Sequence, residues 1–267
     1  MSKIIVPTDF TKAADVAVKQ ALVIALKAHA ELVLLHVVDA KSPIAEASEK
    51  MLKTEVARIS EEYGMQCSYM IKTGNVLDVI ISEINETSYD LMVIGTHGSK
   101  GFRQTLFGSD ILNLVSKVPL PVLVVQEKTK VTDNFNKIIL PVSSHDGFMM
   151  VVNAVLYFAG LFNSEIHLYS ISKPRVHFTE KMENQINATM NIFNNKNVSV
   201  LRIKEDPNVY SFGYARQTIK YAISGNADVV CMMSVPSSEC SYFAKADKES
   251  MVTNDASIPV LFAGGIN

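Results

Sequence analysis

The chain has 267 residues, enough for two domains of ordinary size that each bury their own core. Hydrophobic residues make up 48% and charged residues 19%, a globular balance that excludes a disordered chain. A formal net charge of -2 with no basic face argues against nucleic acid. Three cysteines (Cys67, Cys231, Cys240) without a CxxC or pairing pattern point to a reducing compartment.

The opening MSKIIVPTDF carries no apolar stretch before a cleavage site, and no run reaches membrane-spanning length. A cytoplasmic protein without membrane contact is therefore expected. Residues 3–7 (KIIVP) read as a short apolar strand ended by Thr8 and Asp9. Residues 11–29 place Ala14, Ala17, Val18, Ala21, Leu22, Ala25 and Leu26 at helical spacing. The unbroken apolar run 31–38 is what a parallel strand covered on both faces requires. A charged amphipathic helix (46–63), a third strand (66–72), a turn at Gly74-Asn75 and a helix (76–87) follow. Residues 91–94 then make a buried strand, a glycine-rich loop leads to a helix starting near Ser109, and 122–125 form a fifth strand. Strands alternating with helices imply right-handed crossovers and an open, mainly parallel sheet.

Polar residues 128–136 read as a linker, after which the pattern restarts. Lys137-Ile138-Ile139-Leu140-Pro141 repeats Lys3-Ile4-Ile5-Val6-Pro7 at an offset of 134. Residues 228–233 repeat 90–95, and 258–261 repeat 120–123, at an offset of 138, so about four residues are inserted in between. The fold class predicted is α/β: two tandem, open, mainly parallel five-stranded sheets with helices on both faces, over 1–127 and 137–267.

The loop after the fourth strand holds Gly95, Gly98, Gly101 and Gly108, the last followed by Ser109. Glycines allow left-handed turns and leave room for a ligand against the main chain. A loop leading into a helix N-terminus suits an anion, because unpaired N–H groups and the helix dipole both face it. A tight connection that needs glycine only to turn is the structural alternative. No glycine precedes Lys-Ser or Lys-Thr, which excludes a P-loop, and the loop comes too late in its half for a dinucleotide fingerprint. The spacing is G-x2-G-x9-G-S, over Gly95, Gly98, Gly108 and Ser109. With the hydrophobic strand before it and PLPVLVV after it, this stretch resembles the phosphate-binding signature of nucleotide-binding universal stress proteins. The resemblance extends by pattern to a tandem arrangement of two such domains.

That resemblance implies a ligand, ATP (or ADP or AMP, with or without Mg²⁺), and places residues around it. Pro7, Thr8 and Asp9 end the first strand, with Asp9 by the adenosine. Val37 matches a backbone contact to the adenine, and Ile94 and Gly95 lie where ribose and phosphates begin. Gly98, Gly108 and Ser109, at the helix that includes Asp110, offer N–H groups and a hydroxyl to phosphate oxygens. His97 is a candidate phosphate donor, and Thr96, Lys100 and Arg103 flank the glycines. Each residue also has a structural alternative: Thr8, Asp9 or Thr11 as a helix N-cap, Val37 as core, Ser109 as the N-cap of 110–117, the cations as solvated.

In the second half Gly95 becomes Met233, Gly98 Pro236, Gly108 Ala246, Ser109 Asp247 and Asp9 Ser143. This half is expected to lack the nucleotide site: a methionine fills phosphate space, a proline removes a donor and an aspartate repels. Ser144-His145-Asp146 cannot form a triad in a row and reads as a polar turn and cap. No zinc site is expected. The resemblance further implies association through the last strand of each domain, so 122–125 and 260–262 should pair within the chain, with a homodimer left open. The function expected is an ATP-binding stress-response regulator or interaction module. With no general base, arginine finger or metal carboxylate around the motif, catalysis at most as a slow ATPase is the alternative, and a nucleotide-free interaction protein is the other.

Overall fold

The computed structural model describes residues 2–38, 46–96, 108–143, 145, 147–171, 179–205, 213–234 and 245–263. The first half runs β1 (Lys3–Pro7), α1 (Lys12–Ala28), β2 (Glu31–Val38), α2 (Glu46–Tyr63), β3 (Cys67–Thr73), α3 (Val76–Glu86), β4 (Leu91–Thr96), α4 (Gly108–Val115) and β5 (Val122–Gln126). The second repeats it as β6 (Lys137–Pro141), α5 (Phe148–Phe162), β7 (Glu165–Ser170), α6 (Glu180–Asn195), β8 (Val200–Lys204), α7 (Tyr214–Ser224), β9 (Val229–Met233), α8 (Lys245–Val252) and β10 (Val260–Ala263). β7 starts 134 residues after β2, and α7 starts 138 after α3, so the insertion falls between β7 and α7.

Local chemistry sets the boundaries. Thr11 caps α1 by accepting the Ala14 N–H, and His29 closes the helix in the left-handed region. At the predicted turn, Gly74 takes a φ of 149° and Asn75 Oδ1 accepts from the N–H groups of Leu77 and Asp78, starting α3. The apolar run of β2 is buried from Leu32 to Leu35, between parallel neighbours β1 and β3.

Two five-stranded parallel halves are present, and they join edge to edge into one ten-stranded sheet. Its order is β3-β2-β1-β4-β5-β10-β9-β6-β7-β8. The seam is the antiparallel pair β5 and β10, with Val124 opposite Val260, Leu123 opposite Leu261 and Val122 opposite Phe262. Every other pairing is parallel. Across the seam α1 meets α5, and α4 meets α8.

The linker is polar in composition yet firmly docked. Gln20 is buried and grips Thr132 twice, donating Nε2–H to its carbonyl and accepting its N–H. Thr129 Oγ1 accepts from Gln126 N–H and donates to the Ser257 carbonyl. Phe135 is fully buried edge-on to Phe158 and Phe162, with ring centroids 4.8 and 5.0 Å away. Phe135→Ala should therefore lower the unfolding free energy by about 3–5 kcal/mol, the usual cost of emptying a buried phenyl site. A fall in the urea midpoint is the measurement; an unchanged midpoint would mean that the linker only tethers.

Candidate functional site

In the order 3-2-1-4-5 the crossovers diverge between β1 and β4, the place where open α/β sheets offer a crevice at their carboxyl ends. The β1–β4 ladder spans only Ile4 opposite Leu91 and Ile5 opposite Met92, so the strands part before those ends. Pro7 still pairs with Leu35, and the Thr8 N–H continues the ladder to the Leu35 carbonyl. The chain then turns sharply. Phe10 N–H donates to Thr8 Oγ1, and Phe10 adopts a φ of 61°, unusual for a bulky residue. Its ring packs on His36 at 4.8 Å, and His36 Nδ1–H donates to the Thr8 carbonyl, which fixes the tautomer.

Of the three candidate caps, Thr11 is the one used. Asp9 instead holds it: Asp9 Oδ1 accepts both the Thr11 N–H and the Thr11 hydroxyl at 2.6 Å, and the Asp9 side chain is exposed at the crevice rim. Val37 is half-buried near the end of β2, opposite Lys72. Ile94 is buried and Gly95 follows it, paired with Val125, while Thr96 is fully buried. His97, Gly98, Lys100, Gly101 and Arg103 lie outside the described residues. Gly108 is the buried first residue of α4, with Ser109 exposed and Asp110 half-buried behind it.

Two motif glycines have packing reasons of their own. A Cβ on Gly95 would lie 2.5 Å from the Ala13 carbonyl carbon and oxygen and 2.8 Å from Ala14 N. Gly95 thus owes its missing side chain to the first turn of α1, which crosses β4 in backbone contact. A Cβ on Gly108 would meet Thr253 Cγ2 at 3.2 Å and Glu249 Cγ at 3.6 Å, both from α8 of the other half. Ser109 lies within the first turn of α4 and is not its N-cap, because the helix begins at Gly108, two residues before Asp110.

The corresponding crevice of the second half is filled from within. Met233, in place of Gly95, is fully buried, as is Ser143 in place of Asp9. Lys248 on α8 reaches the end of β9 and donates Nζ–H to the carbonyls of Met233 and Ser234, at 2.9 and 3.4 Å. Only 3% of Lys248 is exposed, and burial pushes its ammonium pKa down to about 8. His145 Nδ1 accepts the Gly147 N–H in a polar turn just before α5, but the N-cap is Gly147 and no side chain caps the helix; Ser144 and Asp146 lie outside the described residues.

A separate cavity of about 940 Å³ runs between α1 and α2. It shares only Thr8 and Phe10 with the crevice residues, and its walls mix apolar side chains such as Val18, Leu22, Leu26 and Met51 with the charged Asp15, Lys19, Lys50, Glu55 and Arg58. Among the described residues, no group of three or more His, Cys, Asp or Glu is arranged to hold a metal, and no helix is long and apolar enough to cross a membrane.

The model of the universal stress protein family matches residues 1–126. That half is a universal stress protein domain. Universal stress protein MJ0577 of Methanocaldococcus jannaschii is 27% identical over 154 residues, covering 47% of this chain and 95% of that protein. Universal stress protein MJ0531 of the same organism is 29% identical over 142 residues, covering 48% and 84%. A universal stress protein from Archaeoglobus fulgidus superposes with a TM-score of 0.73, covering 98% of this chain and 97% of that one at 15% identity. At that identity the likeness is one of fold, and it spans both halves.

Sequence reading missed three residues at the two crevices. Nothing in the sequence marks Phe10 as left-handed. Lys248 was within reach, since it aligns with Asp110 at the offset of 138, one residue beyond the last position compared. Glu249 becomes visible only once α8 is seen against α4.

Gly95→Ala should destabilise the universal stress domain by about 1–3 kcal/mol or more, with or without any ligand, because the new methyl meets backbone and not a flexible side chain. Equilibrium denaturation measures it, and a neutral effect would show that α1 shifts freely. Lys248 gives a pH signature. Its proton leaves the folded chain near pH 8 but stays on the unfolded chain up to about pH 10.5. Below pH 8 both states hold the proton and the burial cost is felt in full; between pH 8 and 10.5 only the unfolded state holds it, so stability rises with pH. Relative to Lys248→Met, the native chain should gain roughly 3 kcal/mol across that window, read from urea midpoints at several pH values.

Proposed function

We propose that the universal stress domain of residues 1–126 binds one adenine nucleotide in the crevice between β1 and β4, and that the chain acts as a nucleotide-binding regulatory or interaction module. The asymmetry between the halves carries this assignment. At one crevice an exposed carboxylate, Asp9, stands on a tight turn, and the N-terminus of α4 presents Ser109 to solvent. At the other, Met233 and the Lys248 ammonium take up the equivalent space.

The residues present suit such a ligand. A carboxylate at the Asp9 position is a natural acceptor for ribose hydroxyls, and the first-turn N–H groups of α4 suit phosphate oxygens. The motif residues Gly98, Gly108 and Ser109 belong to the phosphate end in this proposal, with Pro7, Thr8, Val37, Ile94 and Gly95 around the nucleoside. The crystal structure of a universal stress protein family protein from Arabidopsis thaliana has AMP bound; at a TM-score of 0.36 that likeness carries none of the assignment.

Calorimetry with ATP should give about one site per chain, because one phosphate cradle remains. Gly98→Val should abolish binding while the fold, read by circular dichroism, is kept. Two sites per chain, or full affinity in the variant, would overturn the assignment. Phosphate release with Mg²⁺ should stay below roughly 1 s⁻¹, the lower edge of ordinary enzyme turnover.

A further inference from the structure

The helix proposed to receive the phosphates is not walled by its own half alone. Gly108, its first residue, is buried against α8, and a side chain there would meet Thr253 Cγ2 at 3.2 Å and Glu249 Cγ at 3.6 Å. The Glu249 methylene therefore lies against the first turn of α4, whose N–H groups have no partner within the helix. Among the described residues the Glu249 carboxylate has no hydrogen bond or ion pair.

Glu249 is also held in place. Its carbonyl accepts the Thr253 N–H at 3.0 Å and the Thr253 hydroxyl at 2.8 Å, which stiffens that turn of α8. The end of α8 is tied to the first half where Gln126 Nε2–H donates to the Asn254 carbonyl at 3.0 Å. Asn254 in turn closes the following turn through Ile258, accepting its N–H and donating to its carbonyl. The helix that carries Glu249 is thus braced against β5 and cannot swing away without breaking the seam.

We propose that Glu249, supplied by the half without a nucleotide motif, is a specificity-determining residue for the phosphate end of the first crevice. This rests on the nucleotide assignment above. A carboxylate beside a helix N-terminus takes up part of the favourable field that an incoming anion would use, and it repels each added phosphate charge. Asp110, in the first turn of α4, adds charge of the same sign. The crevice then favours adenine nucleotides with few phosphates, or those whose phosphate charge is neutralised by a divalent cation in solution.

The test is calorimetry of adenosine, AMP, ADP and ATP, in EDTA and low salt, with the full chain and with Glu249→Gln. Adenosine affinity should be unchanged. AMP, ADP and ATP should bind progressively tighter to the variant, by about two- to fivefold for ATP. Excess Mg²⁺ should close most of that gap by tightening ATP binding to the native chain. An equal change for all four ligands, or none for any, overturns the role given to Glu249 while leaving the site intact. If the native chain binds none of the four, including adenosine, the nucleotide assignment itself fails.

Discussion

The antiparallel pairing of β5 with β10 is the contact on which the rest of the molecule depends. A half-sheet ending at β5 would expose a row of unpaired N–H and C=O groups along an apolar strand, since Val122 to Val125 are buried in the joined sheet. Joining the two last strands removes both edges at once. The same pairing dictates which helices meet: α1 against α5, and α4 against α8. The linker is drawn into the same seam, with Thr129 bonded to Ser257 and Phe135 packed among the aromatic rings of α5. What began as a repeat in sequence is, in three dimensions, a pseudo-dimer with one continuous core.

Within that frame the two halves differ most at the ends of their strands. Parallel βαβ packing demands apolar strands, so β1 and β6 keep the same character. At the crevice, where the strands end, the packing differs between the halves. There the first copy keeps a small residue because α1 crosses in backbone contact, whereas the second accommodates Met233 and tethers a lysine to two carbonyls. The strand next door has diverged too. Val33 and Leu35 of β2 correspond to His167 and Tyr169 of β7, where Glu165, His167 and Tyr221 form a hydrogen-bonded chain and Tyr169 stacks on Tyr221. An apolar layer has become a polar one that satisfies its own groups, as burial requires.

Much of the first crevice was legible because its residues are close in sequence to strand ends that hydrophobic patterning already marks. Asp9 follows β1 directly, Gly95 lies within the end of β4, and Gly108 and Ser109 open α4. Spacing cannot assign the reason for each residue. Gly95 reads as a ligand residue in the motif, yet its nearest constraint is Ala13 and Ala14 of α1, eighty residues away in sequence. Thr8, Asp9 and Thr11 are equally good caps on paper; only the turn through Phe10 makes Thr11 the cap and Asp9 its brace.

By itself, then, the sequence determined the α/β class, the duplication, the element order and the crevice at which one half differs from the other. These follow from local periodicity and from residue identity at fixed offsets, both of which are written along the chain. Tertiary structure alone decided that Gly108 is pressed by α8, that Lys248 occupies the second crevice, and that Glu249 stands beside the first. The neighbours of Gly108 and Glu249 depend on how the edges of the two halves pair across more than a hundred residues, and those of Lys248 on how α8 packs on the end of β9; no local pattern encodes either.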